Sequence, residues 1–275
     1  MNIYCLIRPE PASVFMVNTL HAHFGLGGVI CELPPPADLP RRLAARLTQA
    51  DLAGLGEALR SRWHDLRARP WHRKVYQRYF GQQWQALHPG IPLQHTYDLH
   101  APRILEQLEQ AAPDLLVVHG TSILKPVVTS TAKLALNIHW GLSPWYRGVR
   151  CTEWALLNWD PGHIGVTVHE LSSRIDGGRI AAQAFARIEE GDTAHSINMQ
   201  LSYRGTQLLR QIIQRMQQGE VIDLFAQDLS KGQLIRIRHW SRHISRQIRH
   251  IEREGLIAEM LKKPSRMPPA SIITL

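Results

Sequence analysis

Four short apolar runs limit what this chain can fold into: NIYCLI at 2–7, GVICEL at 28–33, PDLLVVHG at 113–120 and LALNIH at 134–139. None alternates apolar with polar. A strand that is apolar on both faces has to be covered on both faces, which is the situation of parallel sheets flanked by helices. The intervening sequence supplies those helices, with helical patterning at 14–24, 101–112 and in the long stretch after Gly191. A hydrophobic content of 44% over 275 residues is enough for such a core and excludes a disordered chain. The expectation is an α/β fold with an open, mostly parallel, Rossmann-like sheet whose ligands gather at the carboxyl ends of the strands.

The body is expected to span 1–225, with 226–275 as a short, basic, helical C-terminal extension. In that extension Leu234, Ile237, Trp240, Ile244, Ile248 and Ile251 recur at helical spacing, with Arg238, Arg242, Arg246, Arg249 and Arg253 elsewhere on the wheel. The formal charge of +9 is concentrated in two places, since 41–80 and 231–275 each carry ten Lys/Arg against three acidic residues. Such segments are either solvated helix faces or contacts for an anionic ligand or RNA. Three scattered cysteines form neither a disulfide framework nor a zinc knuckle. With no apparent leader and no run of ~20 apolar residues, a cytoplasmic protein without a membrane span is expected. His239 and His243 lack a third ligand, so no metal is expected.

The glycine-rich FGLGGV at 24–29 follows a helix and precedes a strand. A dinucleotide fingerprint needs the opposite order, so it is rejected as a cofactor site. More informative is LNIHWGLSPWYRG at 136–148, which lies at the end of a strand. Asn137 and His139 are two apart and so project from the same face. Asp176 lies downstream in SSRIDGG, where Gly177 and Gly178 permit a tight backbone path. An amide, an imidazole and a carboxylate supply an oxyanion donor, a proton carrier and an orienting group. Neither Ser143 nor Cys151 lies in a nucleophile elbow, so an acyl-enzyme is not suggested. By itself an Asn-x-His strand is weak, and a structural histidine or a capping asparagine is a better reading of the residues alone than a catalytic pair.

LNIHWGLSPWYRG, then GVTVHELSSRIDGGRIAAQ, then EGDT with YRGTQLL resemble, in order and approximate spacing, the folate-dependent formyltransferase family over roughly 113–215. The resemblance implies a formyl transferase that moves a one-carbon group from 10-formyltetrahydrofolate to an amine. It implies Asn137, His139 and Asp176 as the catalytic residues, with protonated His139 and the Asn137 amide stabilising the oxyanion and Asp176 favouring the imidazolium. It further implies that Ser122, Ile123 and Leu124, together with Leu171, Ser172, Ser173, Arg174 and Ile175, hold the pterin of the donor. The chain departs from the family pattern at Trp140 and Gly141, where a Pro-Ser pair is usual, and lacks the glycine-rich phosphate loop of glycinamide ribonucleotide enzymes at 8–14. A small-molecule amine, such as a nucleotide-linked amino sugar, is therefore the expected acceptor. Formyl transfer to a charged tRNA, RNA binding through the basic segments and hydrolysis of formyl-folate are the alternatives; nucleic acid is disfavoured, and homo-oligomerisation is left open.

Overall fold

The computed structural model describes residues 1–34, 70–263 and 272–274, so the basic stretch 41–69 lies outside the described residues. The chain opens with β1 (Ile3–Ile7), α1 (Pro11–Phe24) and β2 (Gly28–Glu32). A helix over 70–80 (α2) leads to β3 (Leu93–Thr96), α3 (Pro102–Ala111), β4 (Leu115–His119) and α4 (Pro126–Thr129). Then follow β5 (Leu134–His139), β6 (Tyr146–Gly148), α5 (Cys151–Leu157), β7 (Gly165–Glu170), β8 (Ile180–Phe185) and the long α6 (Ala194–Gln217). The last elements are β9 (Gln233–Ile235), α7 (Arg242–Arg253) and α8 (Leu256–Leu261).

Seven strands form one sheet in the order β3-β2-β1-β4-β5-β7-β8. The first five run parallel, whereas β7 pairs antiparallel with both β5 and β8. The apolar runs divide by alternation between two faces. Ile3, Cys5, Ile7, Leu115, Val117, Leu136 and Ile138 join Val17 and Leu20 of α1 and Ile197 and Leu201 of α6 in the larger cluster. Leu6, Leu116, Val118 and Ala135 meet Ile104 and Leu108 of α3 and Val128 of α4 in the other. Each fully buried Leu or Ile contributes roughly 1.5–3 kcal/mol, which is why strands without alternation require both helical layers.

From β1 the chain builds outward through β2 to β3 and then returns to place β4 on the other side of β1. Loops leaving the carboxyl ends of β1 and β4 therefore diverge, and such a switch point opens a crevice. The loops after β4 and β7 border it: Leu124 and Leu171 both pack on the smaller cluster, and the Leu171 N–H donates to the Ala135 carbonyl at 2.9 Å.

Residues 226–263 contribute more than a helical extension. β9 pairs with β6, and Ile248, Ile251, Ile257 and Met260 enter the larger cluster. The helical periodicity read across Leu234 to Ile251 crosses β9 and a turn; the helix itself begins at Arg242, capped by the Ser241 hydroxyl, and Ile237 is exposed. Among the described residues, no helix is long and apolar enough to cross a membrane.

Candidate active site

Asn137 and His139 emerge from the carboxyl end of β5, where the antiparallel pairing sets Asn137 directly opposite His169 of β7. Asp176 comes from the loop between β7 and β8 and adopts a left-handed φ of 46°. That conformation is strained for most side chains but open to Asp. The left-handed residue is thus the aspartate itself, and Gly178 serves instead to let the chain pass against the Glu170 carbonyl.

Asp176 faces two imidazoles. Its Oδ2 is 3.5 Å from His139 Nδ1, and its Oδ1 is 3.4 Å from His169 Nε2. The Gly148 N–H donates to Oδ2 at 2.8 Å. Gly148 has a φ of 97°, and a Cβ there would collide with the Ile235 carbonyl, so close pairing of β6 with β9 is what presents this N–H. His139 Nε2 lies 3.1 Å from the Tyr146 carbonyl, and Asn137 Nδ2 lies 3.2 Å from His169 Nε2. His169 Nδ1 is 2.9 Å from the Glu170 carbonyl.

These contacts fix a proton inventory. The His139 Nε2–H donates to Tyr146 and the His169 Nδ1–H donates to Glu170, so the Asn137 amide donates to the lone pair of His169 Nε2. Each ring then turns an unprotonated nitrogen toward Asp176, at separations too long for a formed hydrogen bond.

Charge follows burial. Burial lowers the pKa of His139, outweighing the opposite pull of Asp176. Burial thus biases the resting His139 ring toward its neutral form, and the carboxylate beside it favours the imidazolium when a proton arrives. Burial alone would raise the Asp176 carboxyl, but the charge that His139 and His169 carry when protonated, together with the Gly148 N–H, holds it well below the usual carboxylate range. Cys151 Sγ lies 3.6 Å from His139 Nε2, yet burial, reinforced by Asp176 and Glu153, pushes its thiol up. It is not an activated nucleophile. Gly141 gives the His139 ring its space, because a Cβ there would overlap His139 Nε2.

The formyl transferase family profile matches residues 82–213. This stretch is a formyl transferase domain. It contains Asn137, His139, Asp176 and both loops expected to hold the donor. The chain is 32% identical over 145 residues to methionyl-tRNA formyltransferase of Rhodopirellula baltica, an overlap of 52% of this chain and 42% of that protein. It thus spans less than half the length of that relative. In fold it is similar to a sugar N-formyltransferase from Shewanella sp FDAARGOS_354, with a TM-score of 0.56 at 16% identity, covering 87% of this chain and 78% of that one. It is also similar to glycinamide ribonucleotide transformylase 1 from Symbiobacterium toebii, with a TM-score of 0.53 at 18% identity, covering 83% and 95%.

Within the formyl transferase domain, the two loops expected to hold the donor differ in how they are anchored. Ile123 is 75% exposed between two anchored neighbours, while Ser172, Ser173, Arg174 and Ile175 are all exposed. Exposed Ile123, Val127 and Ile175 offer apolar surface to a flat ring, and the loop backbones offer polar groups. His169 is the site residue that sequence reading missed. Its signal was its place in GVTVHEL, but only the antiparallel register brings it opposite Asn137. Among the described residues, no group of His, Cys, Asp and Glu is arranged to hold a metal ion.

Proposed function

We propose that the chain transfers a formyl group from 10-formyltetrahydrofolate to the amine of a small-molecule acceptor, with a nucleotide-linked amino sugar as the acceptor class. One observation carries this reading: a single carboxylate faces His139 Nδ1 and His169 Nε2, 3.5 and 3.4 Å away, with an asparagine amide on the same strand edge. The arrangement is a proton sink beside an oxyanion donor. Acylation of an amine needs both, because the attacking nitrogen sheds a proton while the carbonyl oxygen gains negative charge.

When bound, the donor supplies an activated formyl carbon and a nitrogen leaving group. His139 accepts the proton of the acceptor amine at Nδ1, where Asp176 Oδ2 stabilises the imidazolium, and then returns it to the departing nitrogen. One N–H of the Asn137 amide is held by His169, which leaves the other for the developing oxyanion; one preorganised donor of this kind is worth roughly 3–4 kcal/mol. Segments 122–124 and 171–175 hold the pterin through main-chain groups, with Ile123 and Ile175 against its face. Catalysis is direct, since the thiol of Cys151 is held protonated by burial.

A second acceptor, the α-amine of a charged tRNA, is favoured by the match to a methionyl-tRNA formyltransferase and by exposed arginines 238, 242, 246, 249 and 253. A steep salt dependence of tRNA binding would select it. Donor binding is tested by titration calorimetry with 5-formyltetrahydrofolate, a stable analogue. Saturable binding is expected; no heat and no thermal shift at millimolar analogue would overturn the assignment.

A further inference from the structure

Where the chain turns back at the switch point, one buried carboxylate ties together the ends of three neighbouring strands. Glu32 closes β2 and is only 5% exposed. Its Oε2 accepts the Ser122 N–H at 2.7 Å, and its Oε1 accepts the Ser122 hydroxyl at 2.5 Å. Arg8, the residue after β1, donates from Nε to the same Oε2 at 3.0 Å. Since β1 lies between β2 and β4, the Glu32 side chain reaches past the end of β1 to hold the loop that follows β4. At the other end of that loop, the Lys125 N–H donates to His100 Nε2 at 3.0 Å. His100 Nδ1 is itself 3.2 Å from Asp98 Oδ1, so the ring is a neutral Nδ1–H tautomer with Nε2 free to accept.

Between these anchors Ile123 and Leu124 have no choice of path. Gly120 enters the loop at a φ of 71°, Ser122 is fixed by two bonds to a carboxylate, and Ile123 is left projecting into solvent. A loop made of exposed backbone would otherwise sample many conformations, and ordering it on binding would cost affinity. Charge-assisted bonds at a site that is nearly dry are strong enough to prevent that.

We propose that Glu32 is a positioning residue for the formyl donor: through Ser122 it holds segment 122–124 in the shape that receives the pterin, and Arg8 holds Glu32. This inference rests on the reading of 122–124 as donor-binding. It adds a residue that lies outside the matched stretch 82–213. Arg8 is 42% exposed, so water can satisfy it when its partner is removed. Loss of Glu32 should therefore be felt in the loop rather than in the core.

The test is calorimetry with 5-formyltetrahydrofolate on the wild-type chain, Glu32→Gln, Glu32→Ala and Ser122→Ala, with amide hydrogen exchange on each unliganded protein. Gln is nearly isosteric and opens no cavity; its carbonyl oxygen can keep the Ser122 N–H while its amide donates to the Ser122 hydroxyl oxygen, so what it removes is the charge that strengthens both bonds and pairs with Arg8. The expected result for Glu32→Gln is Kd weakened roughly tenfold, with exchange accelerated in 120–125 alone. Ser122→Ala, which keeps the N–H bond, should fall between wild type and Glu32→Ala. Unchanged Kd in Glu32→Gln beside normal wild-type binding would overturn this role while leaving the donor site standing. So would exchange accelerated equally across β1, β2 and β4, which would make Glu32 a structural brace only. A wild-type chain that binds no analogue would overturn the donor site itself, and the role of Glu32 with it.

Discussion

At the scale of single residues, the site works through the competition between burial and charge at His139. Burial lowers its pKa and Asp176 raises it, with burial dominant. The imidazole is then a base whose conjugate acid is stabilised by one carboxylate and by the Tyr146 carbonyl. Asp176→Asn keeps the shape and the left-handed backbone but removes that charge. The His139 pKa should fall further, so the acid limb of the kcat/KM profile should move to lower pH, and the plateau should drop on the order of a hundredfold as the base weakens. A pH-rate profile of the variant checks both. The glycine at 141 belongs to the same competition, because it permits the ring to sink against Tyr146 and Cys151 and so sets how buried it is.

At the scale of elements, α6 gives the cleanest case of local sequence specifying local structure. Thr193 caps it: the Ser196 N–H donates to the Thr193 hydroxyl oxygen at 3.2 Å, and the Thr193 N–H donates back to the Ser196 hydroxyl at 2.9 Å. Thr193→Ala should cost about 1 kcal/mol of stability, read by chemical denaturation, without affecting donor affinity. A cap at Asp192 or Thr193 and apolar positions at Ile197, Leu201, Leu208, Leu209, Ile212 and Ile213 were legible in the sequence, because a cap and a 3.6-residue period are local signals; the structure chooses Thr193 and leaves Leu208 partly exposed. So were the strands β1, β2, β4 and β5, whose apolar runs demand a covered sheet. β6 and β9 were not legible, since three-residue strands have no period and their pairing spans more than eighty residues. His169 stayed hidden for the same reason, as its role depends on a cross-strand partner and not on its neighbours. Asn137, His139 and Asp176 stood out by residue type, but their catalytic role was read only through the family resemblance, and the bias of His139 toward its neutral form depends on burial, which no spacing encodes.

At the scale of the whole molecule, Tyr146 of β6, Ile235 of β9 and Ile248, Ile251, Ile257 and Met260 of the C-terminal helices all join the larger of the two clusters. Truncation before Ile257 would remove side chains of the larger cluster, so that segment belongs to the stability of the body. Global stability also has a pH signature. His119 at the end of β4 is fully enclosed, lies 2.8 Å from the Ser13 hydroxyl, and burial lowers its pKa from 6.5 to about 4. Between those values the unfolded chain binds the proton and the folded chain does not. Stability therefore falls as pH drops from about 6.5 toward 4, by up to about 3 kcal/mol from this residue. His195, lowered to about 4 by burial and by His72, acts in the same direction. His119→Asn keeps an acceptor for Ser13 but cannot titrate, so denaturation at pH 7 and pH 5 should show a smaller loss in the variant than in the wild type. Equal losses would mean that other groups carry the acid sensitivity.

The central claim is that His139 moves a proton during formyl transfer. The direct measurement is single-turnover transfer from 10-formyltetrahydrofolate, comparing wild type with His139→Ala across a panel of nucleotide-linked amino sugars, with donor affinity measured in parallel. The expected result is a rate lower by on the order of a hundredfold or more at nearly unchanged donor Kd, because the interaction lost is one made in the transition state. A variant that transfers formyl at the wild-type rate while melting at a lower temperature would contradict the claim and make His139 a packed side chain at the end of a strand.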